Sequence, residues 1–403
     1  MTMAPELYYD PYSYAIDDDP HPIWRRLRDE APLYYNERLD FYALSRYADV
    51  RDASLDHVRF SSAKGSVLEM IQATDAGRPV QEIILFMDPP RHSAFRKLVS
   101  RGFTPRRIIG LAAPIRAMVT EMLDELVGRA GFDYVADFGA ELPPRVVASL
   151  VGVPDEDHQK LREWTDAVLH IDDGATAQGS SAATATAGVE LYAYFAEMAA
   201  DRRARPRDDL VSALLETEVD LPDGTSRPLT DLELLHYIIL IASAGTETVA
   251  RFLGNAAVLL ARHPDQRARL VDHPELITNA VEEILRYEAP SPIQARFLTR
   301  DVILHGQTVP AGARMALLTN AAGRDERHFP DPDRFDVGRD IENHLSFGWG
   351  IHFCVGAALA REEARAALQE TLRRWPEWNI DEDRLERVRT GTVRGYARVP
   401  ISF

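Results

Sequence analysis

The stretch FGWGIHFCVG, Phe347 to Gly356, holds the only cysteine of a 403-residue chain. Glycines at 348, 350 and 356 let the backbone turn tightly and bring its N–H groups close to an atom at the centre of the loop. A helical pattern starts at about Gly356, so the positive end of a helix points at the sulfur. Both effects favour a thiolate over a thiol. A lone cysteine is otherwise a small buried hydrophobe, and it is this setting that separates Cys354 from that reading.

Several chemistries are excluded. Gly348-Trp349-Gly350 invites a dinucleotide-binding turn, but G-x-G-x-x-G requires glycine at 353, where Phe353 stands, and no clear strand precedes it. The 12 histidines form no H-E-x-x-H, and one cysteine can build neither a multi-thiolate zinc site nor an intramolecular disulfide. A thiolate held by backbone donors, with no second protein ligand nearby in sequence, suits the axial ligand of a haem iron.

Composition sets the background. Apolar residues make up 45% of the chain and charged residues 27%, the balance of a folded globular protein. The start, MTMAPELYYDPYSYAIDDDP, has neither the basic nor the apolar region of a leader, and no run approaches the roughly eighteen apolar residues of a membrane span. With no disulfide possible, a soluble cytoplasmic chain with no membrane attachment is expected. A formal charge of −17 argues against nucleic acid as a partner. The sign reverses locally in PPRHSAFRKLVSRGFTPRR, 89–107, where Arg91, Arg96, Lys97, Arg101, Arg106 and Arg107 have no acid among them.

Most of the chain shows helical periodicity, as in IRAMVTEMLDELVGRA, LITNAVEEILRYE and AALAREEARAALQETLRRW. Strand patterns are few: 41–45, 313–319, and a hairpin over 300–310 turning at His305-Gly306. The longest helix is predicted from Thr230, where Thr230-Asp231-Leu232-Glu233 forms a capping box, to Arg262, before His263-Pro264. It would span roughly 48 Å. Its middle, YIILIASAG, is apolar all round and predicts a buried central helix able to wall a cavity. Residues 171–188, rich in Ala, Ser, Thr and Gly, are expected to form a surface loop, with a lid over a binding site as the sharper alternative. One mainly α unit with a small β-rich region, spanning 1–403, is the simplest organisation.

FGWGIHFCVG fits F-G-x-G-x-H-x-C-x-G at every defined position and so resembles the haem-binding loop of the cytochrome P450 superfamily. Other segments resemble that family in the same order: DPPRHSAFRKLVSRGFTP at 88–105, Ala244-Gly245-Thr246-Glu247-Thr248, and Glu283-Ile284-Leu285-Arg286 as its E-x-x-R helix. E-x-x-R alone is weak, since any helix can carry it as a surface ion pair. The sequence departs at Gly323 in AGRD, where many relatives have asparagine.

The resemblance implies the cytochrome P450 fold, haem b (iron protoporphyrin IX) and soluble bacterial type monooxygenase activity. It makes Cys354 the iron ligand, with Phe347, Gly348 and Gly356 around it, and pairs His92, Arg96, Arg296 and His352 with the haem propionates. Ala244 and Gly245 would line the cofactor, Gly245 by permitting its close approach. Thr248 would back-bond to Ala244 or release it, and Glu247 would be its partner acid in a proton relay. Glu283, Arg286 and Arg334 would form a buried structural ion network, and Ala244, Thr248, Ile293, Gln294 and part of 66–86 would border a pocket for a hydrophobic substrate. Electrons would come from a separate ferredoxin and its reductase, docking on the 91–107 patch of a monomeric enzyme. Two rivals are a peroxide-driven haem-thiolate peroxygenase and a non-catalytic helical binding protein with a structural cysteine.

Overall fold

The computed structural model describes residues 6–80, 82–169, 182–220, 224–388 and 393–403. The long helix, Asp231–Arg262, opens on the expected capping box. Glu233 N–H donates to the Thr230 hydroxyl at 3.2 Å, and Thr230 N–H donates to the Glu233 carboxylate at 2.9 Å. Two otherwise orphaned N–H groups are thus satisfied. Leu234, Leu235, Tyr237 and Ile238 are buried before its middle, and Leu253, Ala256, Ala257 and Leu260 after it. These faces pack on the helices Leu142–Val151 and Ala357–Arg374. It is also the one helix among the described residues long and apolar enough to cross a membrane. Enclosure by other helices accounts for that apolarity.

A five-stranded sheet runs Leu33–Asn36, Phe41–Leu44, Arg314–Leu317, Gln294–Leu298, Phe60–Ser61. All neighbours are antiparallel except Phe41–Leu44 with Arg314–Leu317. Ala316 lies between Ala43 and Ala295 in register, and small apolar side chains there let the sheet pack on its helices. The expected hairpin forms as Val302–Leu304 and Gln307–Val309. His305 and Gly306, both at positive φ, make the tight turn.

Two expectations need correction. The low-complexity segment does not run as a loop to residue 188, because helix Ala182–Ala204 already begins at Ala182. The reading of 171–181 as loop or lid falls outside the described residues. The third guanidinium of the buried network is not Arg334 but Arg339, whose Nε lies 3.3 Å from Glu283 Oε1. Glu283 and Arg286, both fully buried, meet at 2.6 and 2.8 Å. Arg286 also donates to the carbonyls of Gly323 and Pro332, at 2.7 and 2.9 Å. Arg334 supplies its carbonyl to Arg339 at 2.7 Å, while its guanidinium, 62% exposed, lies 3.6 Å from Asp336. Position explains the exchange: the side chain of Arg334 leaves the turn toward solvent, and that of Arg339 returns to the carboxylate.

This network clarifies Gly323. A Cβ there would sit 2.4 Å from the Arg286 carbonyl oxygen, a backbone atom that cannot turn aside. Glycine lets the 319–323 turn rest directly on the end of the E-x-x-R helix, Ile277–Tyr287.

Candidate functional site

The cysteine loop is built on two glycines with left-handed backbones, Gly348 at φ 72° and Gly350 at φ 71°. A side chain at 350 would also meet the Ser54 carbonyl oxygen at 2.7 Å, so the loop lies directly against the end of helix Tyr47–Leu55. The Cys354 N–H donates to the Phe347 carbonyl at 2.8 Å, closing the loop. Helix Ala357–Arg374 follows, with Gly356 at its N-cap. The sulfur is set deep among its neighbours, yet the side chain is accessible. Burial pushes the thiol above its usual range, while the N–H groups of Gly356 and Ala357 and the charges of Arg96 and Arg361 pull the other way. Phe347 is held beside the loop by the Arg361 guanidinium, 4.5 Å above its ring. Arg361 is in turn fixed by Glu282 at 2.7 Å.

A cluster of basic side chains lies next to the sulfur. The rings of His92 and His352 are 4.6 Å apart and edge to face. Each keeps a buried Nε2 with no hydrogen-bond partner. Burial, then the charge of Arg96, lowers His92 to about 4. Burial, then Arg296, His92 and Arg96, lowers His352 to about 3. Arg296, on strand Gln294–Leu298, is lowered to about 10 by burial, with Asp88 opposing. Its recorded bond is to the neighbouring Ala295 carbonyl, at 2.7 Å. Arg96 feels Cys354 but meets no carboxylate within ion-pair distance among the described residues. The nearby Asp88 already accepts from the Ser61 hydroxyl and, at 3.2 Å, from Ser62 N–H. Buried donors therefore outnumber acceptors here.

The middle of the long helix opens where its ends are buried. Ala244 is exposed and 245–248 are half-buried, between buried Ala242 and Val249. The Thr248 hydroxyl donates to the Ala244 carbonyl at 3.2 Å. Glu247 lies 3.7 Å from Arg251, one turn on, whose other arm donates to the Tyr396 carbonyl at 2.7 Å.

The chain matches the family model described as Cytochrome P450 over residues 166–390. It is 43% identical over 399 residues to cytochrome P450 123 of Mycobacterium tuberculosis, covering 99% of this chain and 97% of that one. The chain belongs to the cytochrome P450 family. The vitamin D(3) 25-hydroxylase of Pseudonocardia autotrophica is 35% identical over 400 residues, 98% of this chain and 96% of that one. The solved P450 structure of CYP109Q5 from Chondromyces apiculatus superposes with a TM-score of 0.86 at 33% identity, covering 98% of this chain and 97% of that one. The expected P450 fold is thus found. As a P450, the chain is a monooxygenase whose family binds haem through a cysteine thiolate.

The residues present fit that cofactor. A haem brings two carboxylates, and the basic cluster holds buried imidazole nitrogens and guanidinium groups short of acceptors. Of the positions expected from the P450 motifs, His92, Arg96, Arg296, His352 and Cys354 come together. Gly245 also lies close against a neighbouring helix. A Cβ there would meet Val147 Cγ2 at 3.0 Å, so this glycine seats the long helix on Leu142–Val151. Ile293 lines a small notch with Pro11, Tyr12, Val67, Leu68 and Glu69. Gln294 donates to the Ser291 hydroxyl at 2.9 Å. No recorded hydrogen bond joins either to Ala244 or Thr248 among the described residues.

Nor is the P450's basic run bare. Arg91 pairs with Glu82 at 2.8 Å, Lys97 with Asp220 at 2.8 Å and Arg107 with Asp208 at 3.2 Å. Exposed Arg101 reaches the Thr217 hydroxyl at 3.4 Å. Exposed Arg106 has no carboxylate partner among the described residues. Sequence reasoning did not single out Asp88, Arg251, Arg339, Arg361 or His57. Asp88 is the first residue of the quoted 88–105 motif and could have been found there; the others carry no local signal.

Proposed function

We propose that Cys354 is the axial thiolate of haem b and that the enzyme inserts one oxygen atom from O₂ into a hydrophobic small molecule, with electrons from a ferredoxin and its reductase. The observation that carries this reading is the acceptor-poor cluster of His92, Arg96, Arg296 and His352 beside an accessible, deeply set cysteine. Carboxylates on those donors and iron on that sulfur would satisfy both features with one planar group. When bound, the haem supplies the redox chemistry of oxygen activation. The chain's own part is to hold it, exclude bulk water and move protons.

Thr248 and Glu247 are the residues for proton movement. The Thr248 hydroxyl, bound to the Ala244 carbonyl, can exchange that bond for one to water. Glu247 then passes protons along the helix toward that hydroxyl. Replacing Thr248 by alanine is expected to lower product formed per O₂ consumed and raise peroxide, measured as their ratio.

The substrate class is apolar because the open stretch offers Ala244 and a threonine methyl, its one charge, Glu247, being turned toward Arg251. The resemblance to a vitamin D(3) hydroxylase supports a largely hydrocarbon molecule, hydroxylated at an unactivated carbon. The single catalytic unit acts in the cytoplasm as a monomer. The absorption spectrum of the reduced carbon-monoxide complex tests the assignment. A red-shifted thiolate Soret band is expected; a histidine-type band in fresh protein, or no haem uptake, overturns it.

A further inference from the structure

We infer that His57 is an additional binding residue for the haem carboxylates, completing the basic cluster from a third direction. This rests on reading that cluster as the carboxylate edge of the haem. His57 follows helix Tyr47–Leu55, the helix whose Ser54 carbonyl lies against Gly350 of the cysteine loop. The residue is half-buried, but its Nδ1 is fully buried and has no hydrogen-bond partner. Leu55, two residues before it, also lies against Gly350, with its Cα 3.4 Å from where a Cβ at 350 would sit, so His57 leaves the helix beside the loop that carries His352. Three imidazoles from three separate segments each keep a buried nitrogen unpartnered.

Packing alone does not account for this. An apolar side chain would fill such space without stranding a polar atom, which costs about 1–3 kcal/mol when buried. Asp88 is engaged by Ser61 and Ser62. The remaining chemistry that takes several N–H donors from several sides is a carboxylate pair. Two carboxylates offer four oxygens, enough to accept from Arg96, Arg296 and the three histidines through charge-assisted bonds.

The test uses the haem-loaded protein and its rate of haem loss to an excess of a haem-scavenging apoprotein. His57→Leu and His57→Gln are compared with the parent, each loaded with haem and, separately, with haem dimethyl ester, which lacks free carboxylates. With haem, His57→Leu is expected to lose its cofactor roughly tenfold faster, the size of one charge-assisted hydrogen bond, and His57→Gln to recover part of the difference. With the ester, parent and variants should lose it at one rate. An unchanged rate with haem, or equal acceleration with the ester, overturns the inference, the latter showing that His57 acts through packing. Circular dichroism identifies a misfolded variant, and His57→Gln then carries the comparison alone. If the parent gives no thiolate-type spectrum, the proposed function fails and this inference with it. A normal spectrum with unchanged haem loss removes only His57.

Discussion

Cys354 shows how a residue's chemistry is decided by opposed influences of similar kind. The loop donors and nearby arginines favour the anion, while burial pushes the thiol up. A cation held against the sulfur would tip that balance toward the anion by adding a large favourable charge. Cys354→Ser should therefore remove the thiolate-type band of the reduced carbon-monoxide complex and leave helical content unchanged. The backbone of the loop depends on Gly348, Gly350 and the bond from Cys354 N–H to Phe347, none of which needs the sulfur. An unchanged band would show that the ligand is elsewhere. At this scale the sequence was informative wherever a residue type and its spacing act together, as with Cys354, His352 and Arg96. It was silent on His57 and Arg361, whose roles arise only when separate segments meet. It misled on Arg334, whose expected place in the ion network is taken by Arg339.

Among the elements, the long helix was legible because its signals are local: a capping box, an apolar run and a terminal His-Pro. Thr230→Ala should cost about 1 kcal/mol of stability, measured by denaturant unfolding. The same cap makes a pH prediction. Glu233 is held down to about 2 by its hydrogen bonds to Arg227, with Thr230 adding to the effect against the opposing influence of burial. Its folded value lies below its ordinary 4.5, so the contribution is complete above that value and is lost as pH falls toward about 2. Glu233→Gln should flatten the acid limb of the stability profile over that window. The strands Leu33–Asn36 and Gln294–Leu298 were not legible, since each is too short to show a period and pairs with distant partners. The helix from Ala182 was hidden by a composition that suits loops, although alanine is itself the best helix former. Gly323 gives a further check. Gly323→Ala places a methyl against the Arg286 carbonyl and should lower the unfolding free energy by about 1–3 kcal/mol through overpacking, with Arg286 pulled from its carbonyl acceptors. A neutral result would mean that the turn can withdraw from the E-x-x-R helix.

For the molecule as a whole, charge sets how a redox partner can approach. A chain of net −17 repels an acidic ferredoxin from most directions, which leaves local basic surface to orient the encounter. The sequence showed six cations in a row free of acids, but folding brings Glu82, Asp208 and Asp220 onto three of them, and Arg96 turns toward the sulfur. What remains on the outside is Arg101, tied only to a hydroxyl, and Arg106. Exposed pairs of this kind contribute little to stability, so their loss should not unfold the protein. Arg106→Glu should accordingly slow electron transfer from a ferredoxin at low ionic strength, and the difference from the parent should shrink as salt screens it. Lys97→Glu should slow it less, because the charge it removes is already shared with Asp220. Stopped-flow reduction under carbon monoxide, at several salt concentrations, measures both. Substrate affinity, read from the haem spectral shift, should stay constant in both variants. Equal rates for Arg106→Glu and the parent at low salt would move the docking surface away from this patch.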